Sequence, residues 1–119
     1  MSKTLKAFGE ALFKDGMFKK VFANHTPGKR IAPPQAGNND SKHQLRLDAG
    51  ETIDGKKSLY LQINSQAKNE ALKKYRSKHG SHAKLATATV DQNTPEEDQE
   101  NVFTDIWSNM ESQAKEKLG

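Results

Sequence analysis

An alternating leucine pattern on both sides of Asp54-Gly55 constrains the fold more than any other feature of the sequence. Apolar and polar residues alternate over residues 44–47 before this pair and over residues 58–63 after it. A period of two is typical of strands with one buried face, and an Asp-Gly pair is a strong signal for a tight hairpin turn. The pattern predicts a small antiparallel meander with one apolar face, to which residues 52–53 add a short segment.

Helical periodicity marks both ends of the chain. Between residues 5 and 22, apolar side chains recur at three- and four-residue steps. This spacing predicts an amphipathic helix or, because Gly9 and Gly16 weaken a continuous helix, two short ones. A second apolar stripe predicts a long amphipathic helix over about residues 95–117.

A third helix is predicted over residues 66–79, directly after the second strand. Asn64 or Ser65 can cap its start, and Gly80 stands where a helix of this length would end. Lysines and an arginine cover one face and the last turn. We therefore expect a basic helix beside the meander.

The remaining segments are predicted to be irregular. Residues 24–42 contain three of the four prolines among turn-forming residues, which is typical of a linker that runs as an extended strap. Residues 81–94 have no clear period and are interpreted as a connector. The prediction is an α+β protein with an N-terminal helix (1–23), a linker (24–42), a small basic α+β domain (43–90) and an acidic C-terminal helix (91–119).

Charge is divided unevenly along the chain. Residues 1–30 sum to +5, residues 31–90 to +5 and residues 91–119 to −6, which leaves a net charge of +4. A basic body can attract polyanions while an acidic end pairs with that body or with a basic partner. There is no cysteine, so disulfides and thiolate chemistry are excluded. No apolar run reaches the roughly 18 residues of a membrane span.

Catalytic and metal-binding patterns are weak. The motifs G-x-S-x-G, G-x-G-x-x-G, H-E-x-x-H and the P-loop do not occur. Leu, Ile, Val and Phe contribute only 21 of 119 residues, which leaves little core to support a rigid pocket. His79 and His82 have the spacing of a metal clip without a third ligand, and Asp48, Glu51 and Asp54 are interpreted as turn formers. We expect no enzyme activity, no metal and no cofactor.

Residues 58–80 combine an alternating strand, a polar cap, a helix and a terminal glycine. In this order they resemble the ribbon-helix-helix family of DNA-binding proteins. In that family the strands of two chains pair and enter the major groove. The resemblance implies that Ser58, Tyr60 and Gln62 face the bases, with Lys56 and Lys57 near phosphate.

The C-terminal stripe has the spacing of an interaction helix. Phe103, Trp107 and Met110 stand at i, i+4 and i+7 in an acidic surround, as do the anchors of helices that bind in grooves. Packing within the chain's own core is the alternative. The protein-interface candidates are Phe103, Ile106, Trp107 and Met110, together with Phe18 and Phe22 of the N-terminal helix.

Cations around the strand and helix of residues 56–78 are candidates for nucleic-acid binding. With two polar strand residues they form the set Lys56, Lys57, Tyr60, Gln62, Lys73, Lys74, Arg76 and Lys78. The features together predict a non-enzymatic structural or adaptor subunit of a larger assembly, such as a virion or other nucleoprotein particle. A DNA-binding regulator with a ribbon-helix-helix-like unit is the alternative. The expected partners are protein subunits, including further copies of the chain, and nucleic acid, whereas no membrane is expected. The expected location is the cytoplasm or a virion, and we expect no secretion.

Overall fold

A computed structural model describes residues 2–23, 25–33 and 43–119 of the chain. Helix α1 spans Ser2–Phe13 and α2 spans Lys19–Ala23, with a 3-10 turn at Lys14–Gly16 between them. The elements that follow are β1 (Arg30–Ala32), β2 (Leu45–Ile53), β3 (Lys56–Ile63), α3 (Glu70–His79), β4 (Lys84–Val90) and α4 (Glu96–Leu118). The predicted α+β class, with terminal helices and a basic helix around a meander, is confirmed.

Within the described residues, four strands form one antiparallel sheet in the order β1-β2-β3-β4. Asp54 and Gly55 both have positive φ, at 52° and 78°, and form the predicted tight turn between β2 and β3. Strand β3 pairs with β2 on one side and with β4 on the other. It therefore has no free edge, and the two-chain strand pairing implied by the ribbon-helix-helix resemblance is wrong for this strand.

A bulge in β2 determines which side chains share a face of the sheet. Next to the turn Thr52 pairs with Lys57, but the register then shifts, so that Ala49 pairs with Leu59. Without the shift, Ala49 would oppose Tyr60, and apolar residues of β2 would share a face with polar residues of β3. Directly opposed residues point to the same side of a sheet. The extra residue of the bulge therefore aligns the apolar side chains of the two strands.

The hydrophobic core lies between the sheet and helices α1, α2 and α4. The predicted stripes of the terminal helices and the leucines of the strands all enter one buried cluster. Its members include Leu5, Phe8 and Leu12 of α1, Val21 and Phe22 of α2, Leu45 and Leu47 of β2, Leu59 and Leu61 of β3, Leu85 of β4, and Phe103, Trp107 and Met110 of α4.

The predicted linker over residues 24–42 contains a strand. The backbone nitrogen of Gly28 donates to the carbonyl of Ala49 at 2.8 Å, and β1 continues this pairing along the edge of β2. The described part of the segment is thus a strap on the chain's own body, whereas positions 24 and 34–42 lie outside the described residues. The expectation of no regular structure is wrong at β1, because the edge of β2 offers backbone partners that composition does not reveal.

The predicted connector over residues 81–94 also contains a strand. β4 pairs with β3 over most of its length, and Leu85 and Val90 are buried. Alanine and threonine occupy most of its other positions, so the period of two is faint in the sequence. Pairing with β3, rather than the strand's own side-chain pattern, accounts for this element.

Helix α3 begins later than predicted. Asn69, and not Asn64 or Ser65, is the N-cap, and its side-chain oxygen accepts from the backbone nitrogens of Ala71 and Leu72 at 2.9 and 3.2 Å. Gln44 Oε1 accepts hydrogen bonds from the backbone nitrogens of residues 68 and 69 at 2.8 and 3.0 Å. This side chain from the start of the sheet holds the preceding segment outside the helix. The predicted end at Gly80 is confirmed.

Helix α4 also covers the outer edge of β4. The side chain of Gln113 donates to the carbonyl of Thr87 at 2.9 Å and accepts from its backbone nitrogen at 3.0 Å. Lys117 Nζ donates to the carbonyl of Lys84 at 3.1 Å. Because an uncovered edge offers these groups to other strands, the contacts restrict edge-to-edge pairing of β4.

Helices α1 and α4 approach each other closely at Gly9. A methyl group at this position would overlap the indole nitrogen of Trp107 and lie 2.8 Å from its Cε2 atom. The Trp107 ring is buried and also packs against Phe8, with ring centroids 5.6 Å apart. The glycine that weakens the helix pattern therefore makes room for the largest side chain of the core.

Gly9→Ala tests this contact. Helix propensity alone would stabilise the protein by about 1 kcal/mol, but overpacking of a core typically costs about 1–3 kcal/mol. We expect a net decrease in the free energy of unfolding, measured in denaturant. The decrease should shrink when Gly9→Ala is combined with Trp107→Phe, since the smaller ring leaves space for the methyl group. A stabilised single variant, or strictly additive effects, would contradict the contact.

Candidate functional site

The residues predicted to form a protein interface lie in the core of the same chain. Five of the six are buried and Ile106 is partly buried: Phe103, Trp107, Met110, Phe18, Phe22 and Ile106. The Phe103 ring packs against Phe13 and Phe18, with centroids 5.5 and 6.1 Å apart. The apolar stripe is thus already covered within the chain, and binding of other proteins stays a prediction.

The predicted nucleic-acid residues separate into three groups. Lys56 and Lys57 lie at the hairpin, Tyr60 and Gln62 lie within β3, and the remaining four lie on α3. From Lys56 to the end of β3 at Ile63 is about 23 Å at 3.3 Å per residue, and α3 begins beyond that end. The hairpin lysines therefore do not join the cations of α3.

The cations of α3 differ in what they contact. Lys73, Lys74 and Lys78 are exposed, and no carboxylate of the described residues forms an ion pair with them. Arg76 Nη1 instead donates to the carbonyls of Asn64 and Ser65 at 2.8 and 2.9 Å. Its guanidinium ties α3 to the end of β3, whereas the three lysines are available to a ligand.

The acidic start of α4 faces a different part of the molecule. Glu96, Glu97 and Glu100 line a groove of about 630 Å³ whose other side includes Phe18 and Lys19. These carboxylates therefore lie beside the N-terminal helices, and they form no ion pair with the lysines of α3.

The sheet face opposite the core carries a charged cluster. Arg30, Asp48 and Tyr60 stand directly opposite one another on β1, β2 and β3, and Arg46 and Lys84 occupy the neighbouring row on β2 and β4. We call these five residues the sheet-face cluster. Because they alternate with the buried apolar residues of the strands, all five point away from the helices.

Asp48 is the centre of the sheet-face cluster. The residue is only 1% exposed, and its carboxylate accepts from Arg46 Nε at 2.9–3.0 Å. Tyr60 stands directly opposite it on β3, and Lys84 Nζ lies 4.5 Å from the centroid of the Tyr60 ring. One buried carboxylate thus holds an arginine beside a tyrosine.

Electrostatics perturb two members of the sheet-face cluster. Burial raises the pKa of Tyr60, and the charge of Asp48 and the hydrogen bond to it raise that pKa further. Burial and the charge of Arg46 lower the pKa of Arg30, and Asp48 partly offsets them. Arg30 nevertheless stays protonated at neutral pH, and its buried Nη1 atom has no hydrogen-bond partner in the part of the chain that the structure describes.

Sequence reasoning missed most of the sheet-face cluster. Arg30 lies in the predicted linker and Lys84 lies in the predicted connector. The interpretation of Asp48 as a turn former is wrong, because Asp48 is a buried strand residue. The sequence does contain a signal for the position of Asp48. When the residues of β2 and β3 are paired outward from the Asp54-Gly55 turn, leucine opposes leucine only after a shift of one residue. That shift puts Asp48 opposite Tyr60.

Metal ligands do not converge in the described residues. No group of three or more His, Asp and Glu side chains in this part of the chain has the geometry to hold an ion. His79 lies against the ring of Tyr75, with centroids 4.2 Å apart. None of the described helices combines the length and the apolar composition that crossing a bilayer requires.

Comparison with protein families assigns the chain to a family. Residues 1–109 match the family described as "HrmA: Subtelomeric hrmA-associated cluster protein". The chain belongs to this family. The HrmA match spans every strand of the sheet, α3 and the whole sheet-face cluster, and it ends within α4. Comparison with curated proteins and with solved structures found no match.

Tyr60→Phe tests the hydrogen bond to Asp48. The change removes the hydroxyl and leaves a buried carboxylate one partner short, which typically costs about 1–3 kcal/mol. Tyr75→Phe is the control, since the Tyr75 hydroxyl makes no hydrogen bond to the described residues. We expect a lower free energy of unfolding for Tyr60→Phe than for the control. Equal values would contradict the role assigned to the hydroxyl.

The pH dependence of stability gives a second test of Tyr60. Because the folded state raises the pKa of Tyr60, the unfolded chain loses this proton first as the pH passes about 10. The contribution of Tyr60 to stability is therefore complete below that pH and decreases above it. We expect the wild-type protein to lose more stability than Tyr60→Phe between about pH 9 and pH 11 in denaturant unfolding. Parallel curves would argue against a raised pKa.

Proposed function

We propose that the protein binds nucleic acid without catalysing a reaction, through α3 and the adjoining sheet face. The observation that carries the proposal is the separation of charge: Lys73, Lys74 and Lys78 are exposed without ion-pair partners in the described residues. The acids that would otherwise neutralise them line the groove beside α1 and α2. A set of unneutralised cations on one helix attracts a polyanion.

Helix α3 is held firmly against one end of the sheet. Arg76 bonds two carbonyls after β3, and Gln62 Nε2 donates to the carbonyl of Ser81 at 3.3 Å. Asn69 caps the start of the helix and Gly80 ends it. The lysines are therefore presented from a fixed helix next to the row that holds Arg46 and Lys84.

The chemistry favours contacts to phosphate over contacts to bases. Lysine acts as a mobile point charge that recognises phosphate without reading sequence. The side chains that the ribbon-helix-helix resemblance assigns to base reading are already bonded within the chain. Ser58 Oγ donates to the carbonyl of Glu51, Lys84 covers the Tyr60 ring, and Gln62 Nε2 donates to the carbonyl of Ser81. These contacts within the chain favour weak sequence preference and argue against the alternative function, a DNA-binding regulator.

Membership in a larger assembly, such as a virion or other nucleoprotein particle, stays a prediction. Among the described residues, Ile53 at the hairpin is the exposed large apolar side chain, with half of its surface accessible. Protein neighbours would therefore have to bind mostly polar surface.

Salt dependence tests the proposal. Contact with about three to five phosphates predicts that log K on duplex DNA falls with log salt at a slope of roughly −3 to −4.5. Changing Lys73, Lys74 and Lys78 together to Gln should weaken binding and reduce the magnitude of the slope by roughly 2–3. Fluorescence anisotropy at several salt concentrations measures both quantities.

The matched control changes Lys3, Lys6 and Lys20 to Gln. These three lysines are exposed on α1 and α2, and the net charge changes by the same amount. The control should keep nearly the wild-type slope. Equal losses in both triple variants, or no binding at low salt, would overturn the proposal.

A further inference from the structure

The sheet-face cluster has more positive than negative charge. Three cations, Arg30, Arg46 and Lys84, surround one carboxylate, which leaves a surplus of two positive charges. Both oxygens of Asp48 lie about 3 Å from Arg46 Nε, at 2.9 and 3.0 Å. Arg30 and Lys84 therefore have no carboxylate partner in the described part of the chain.

The Arg30 guanidinium has a buried donor without an acceptor among the described residues. Its Nη1 atom is buried and makes no hydrogen bond to them, and burial of an unpaired charged donor is unfavourable. The carboxylate of Asp48, on the opposite strand, already accepts from Arg46. An added anion would supply the missing acceptor.

The two cations stand on strands that do not adjoin. Arg30 and Lys84 lie on β1 and β4, whose backbones are about 14 Å apart at 4.8 Å per strand. Lys84 reaches inward over the Tyr60 ring, at 4.5 Å from its centroid. Arg30 lies opposite Asp48, which in turn lies opposite Tyr60. The two cations thus flank the Asp48 and Tyr60 positions from opposite edges of the sheet.

We propose that the sheet-face cluster binds a phosphoryl dianion, with Arg30 and Lys84 as its direct ligands. A phosphate monoester carries about −1.5 to −2 charges at pH 7 and offers three acceptor oxygens, which matches the surplus charge. A phosphodiester carries one negative charge and matches it less well. The planar guanidinium fork of Arg30 suits two phosphate oxygens. The site does not depend on the nucleic-acid proposal, because a strand terminus, inorganic phosphate or a small phosphorylated molecule has the same chemistry.

The experiment uses three probes with the full chain. Isothermal titration calorimetry measures binding of inorganic phosphate, of a single-stranded oligonucleotide with a 5′-phosphate and of the same oligonucleotide with a 5′-hydroxyl. Moderate salt suppresses general electrostatic attraction. We expect inorganic phosphate to bind. We also expect the 5′-phosphorylated strand to bind about tenfold more tightly than the strand with a 5′-hydroxyl, an affinity difference that corresponds to about 1.4 kcal/mol.

Two variants and a matched control assign the site to its residues. Arg30→Gln and Lys84→Gln should each abolish the preference for the 5′-phosphate. Lys29→Gln removes the same charge from the neighbouring exposed position and should leave that preference intact. Because Lys84 is exposed, its variant keeps the test decisive if Arg30→Gln does not fold.

The outcomes separate this inference from the nucleic-acid proposal. Binding of inorganic phosphate with no binding of either oligonucleotide supports the phosphoryl site with a small-molecule source and overturns nucleic-acid binding. Equal affinities for the two oligonucleotides with no binding of inorganic phosphate overturn the phosphoryl site and leave nucleic-acid binding intact. An equal loss of preference in Lys29→Gln and Arg30→Gln also overturns the site, because general charge would then explain it.

Discussion

The register shift between Ala49 and Thr52 is the constraint on which both faces of the sheet depend. A tight turn at residues 54–55 followed by unbroken pairing would set leucines of one strand opposite polar residues of the next. The bulge turns the leucines towards the helices and sets Asp48 opposite Tyr60 on the other face. Gly50 stands at the bulge, where a Cβ would lie 3.3 Å from the Tyr60 ring. The hydrophobic core and the sheet-face cluster therefore result from the same local irregularity.

The packing of helix α4 explains why its aromatic residues are not part of the proposed binding surface. Phe103 and Trp107 are buried against α1, α2 and the sheet, so the anchor spacing at positions 103–110 serves the chain's own core. The polar face of the same helix covers the edge of β4 through Gln113. Its acidic first turn lies beside α2. With these contacts of α4 made within the chain, the exposed lysines of α3 and the open sheet face are among the places where positive charge has no carboxylate partner in the described residues.

Sequence signals within a few residues predicted much of the fold, whereas elements that depend on distant parts of the chain were not predicted. The hairpin, the terminal helices and the end of α3 at Gly80 follow from side-chain period and turn chemistry within a few residues. β1 and β4 have weak patterns of their own and form because neighbouring edges supply backbone partners. The start of α3 depends on Gln44, which is 25 positions from Asn69. The lysines of α3 were predictable because they are neighbours in sequence, whereas the sheet-face cluster comes from four separate strands.

The sequence by itself determined which residues share a face within each long element, where the hairpin turns and how charge is divided along the chain. These properties depend on periods of 2 and 3.6 residues and on the conformational preferences of single residues such as Gly55. The tertiary structure alone decided that the apolar stripe of α4 is internal, that Asp48 is buried beside Arg46 and Tyr60, and that the lysines of α3 stay unpaired. The physical reason is that burial and charge pairing depend on which elements meet in space, and a one-dimensional pattern specifies a face without specifying its neighbour.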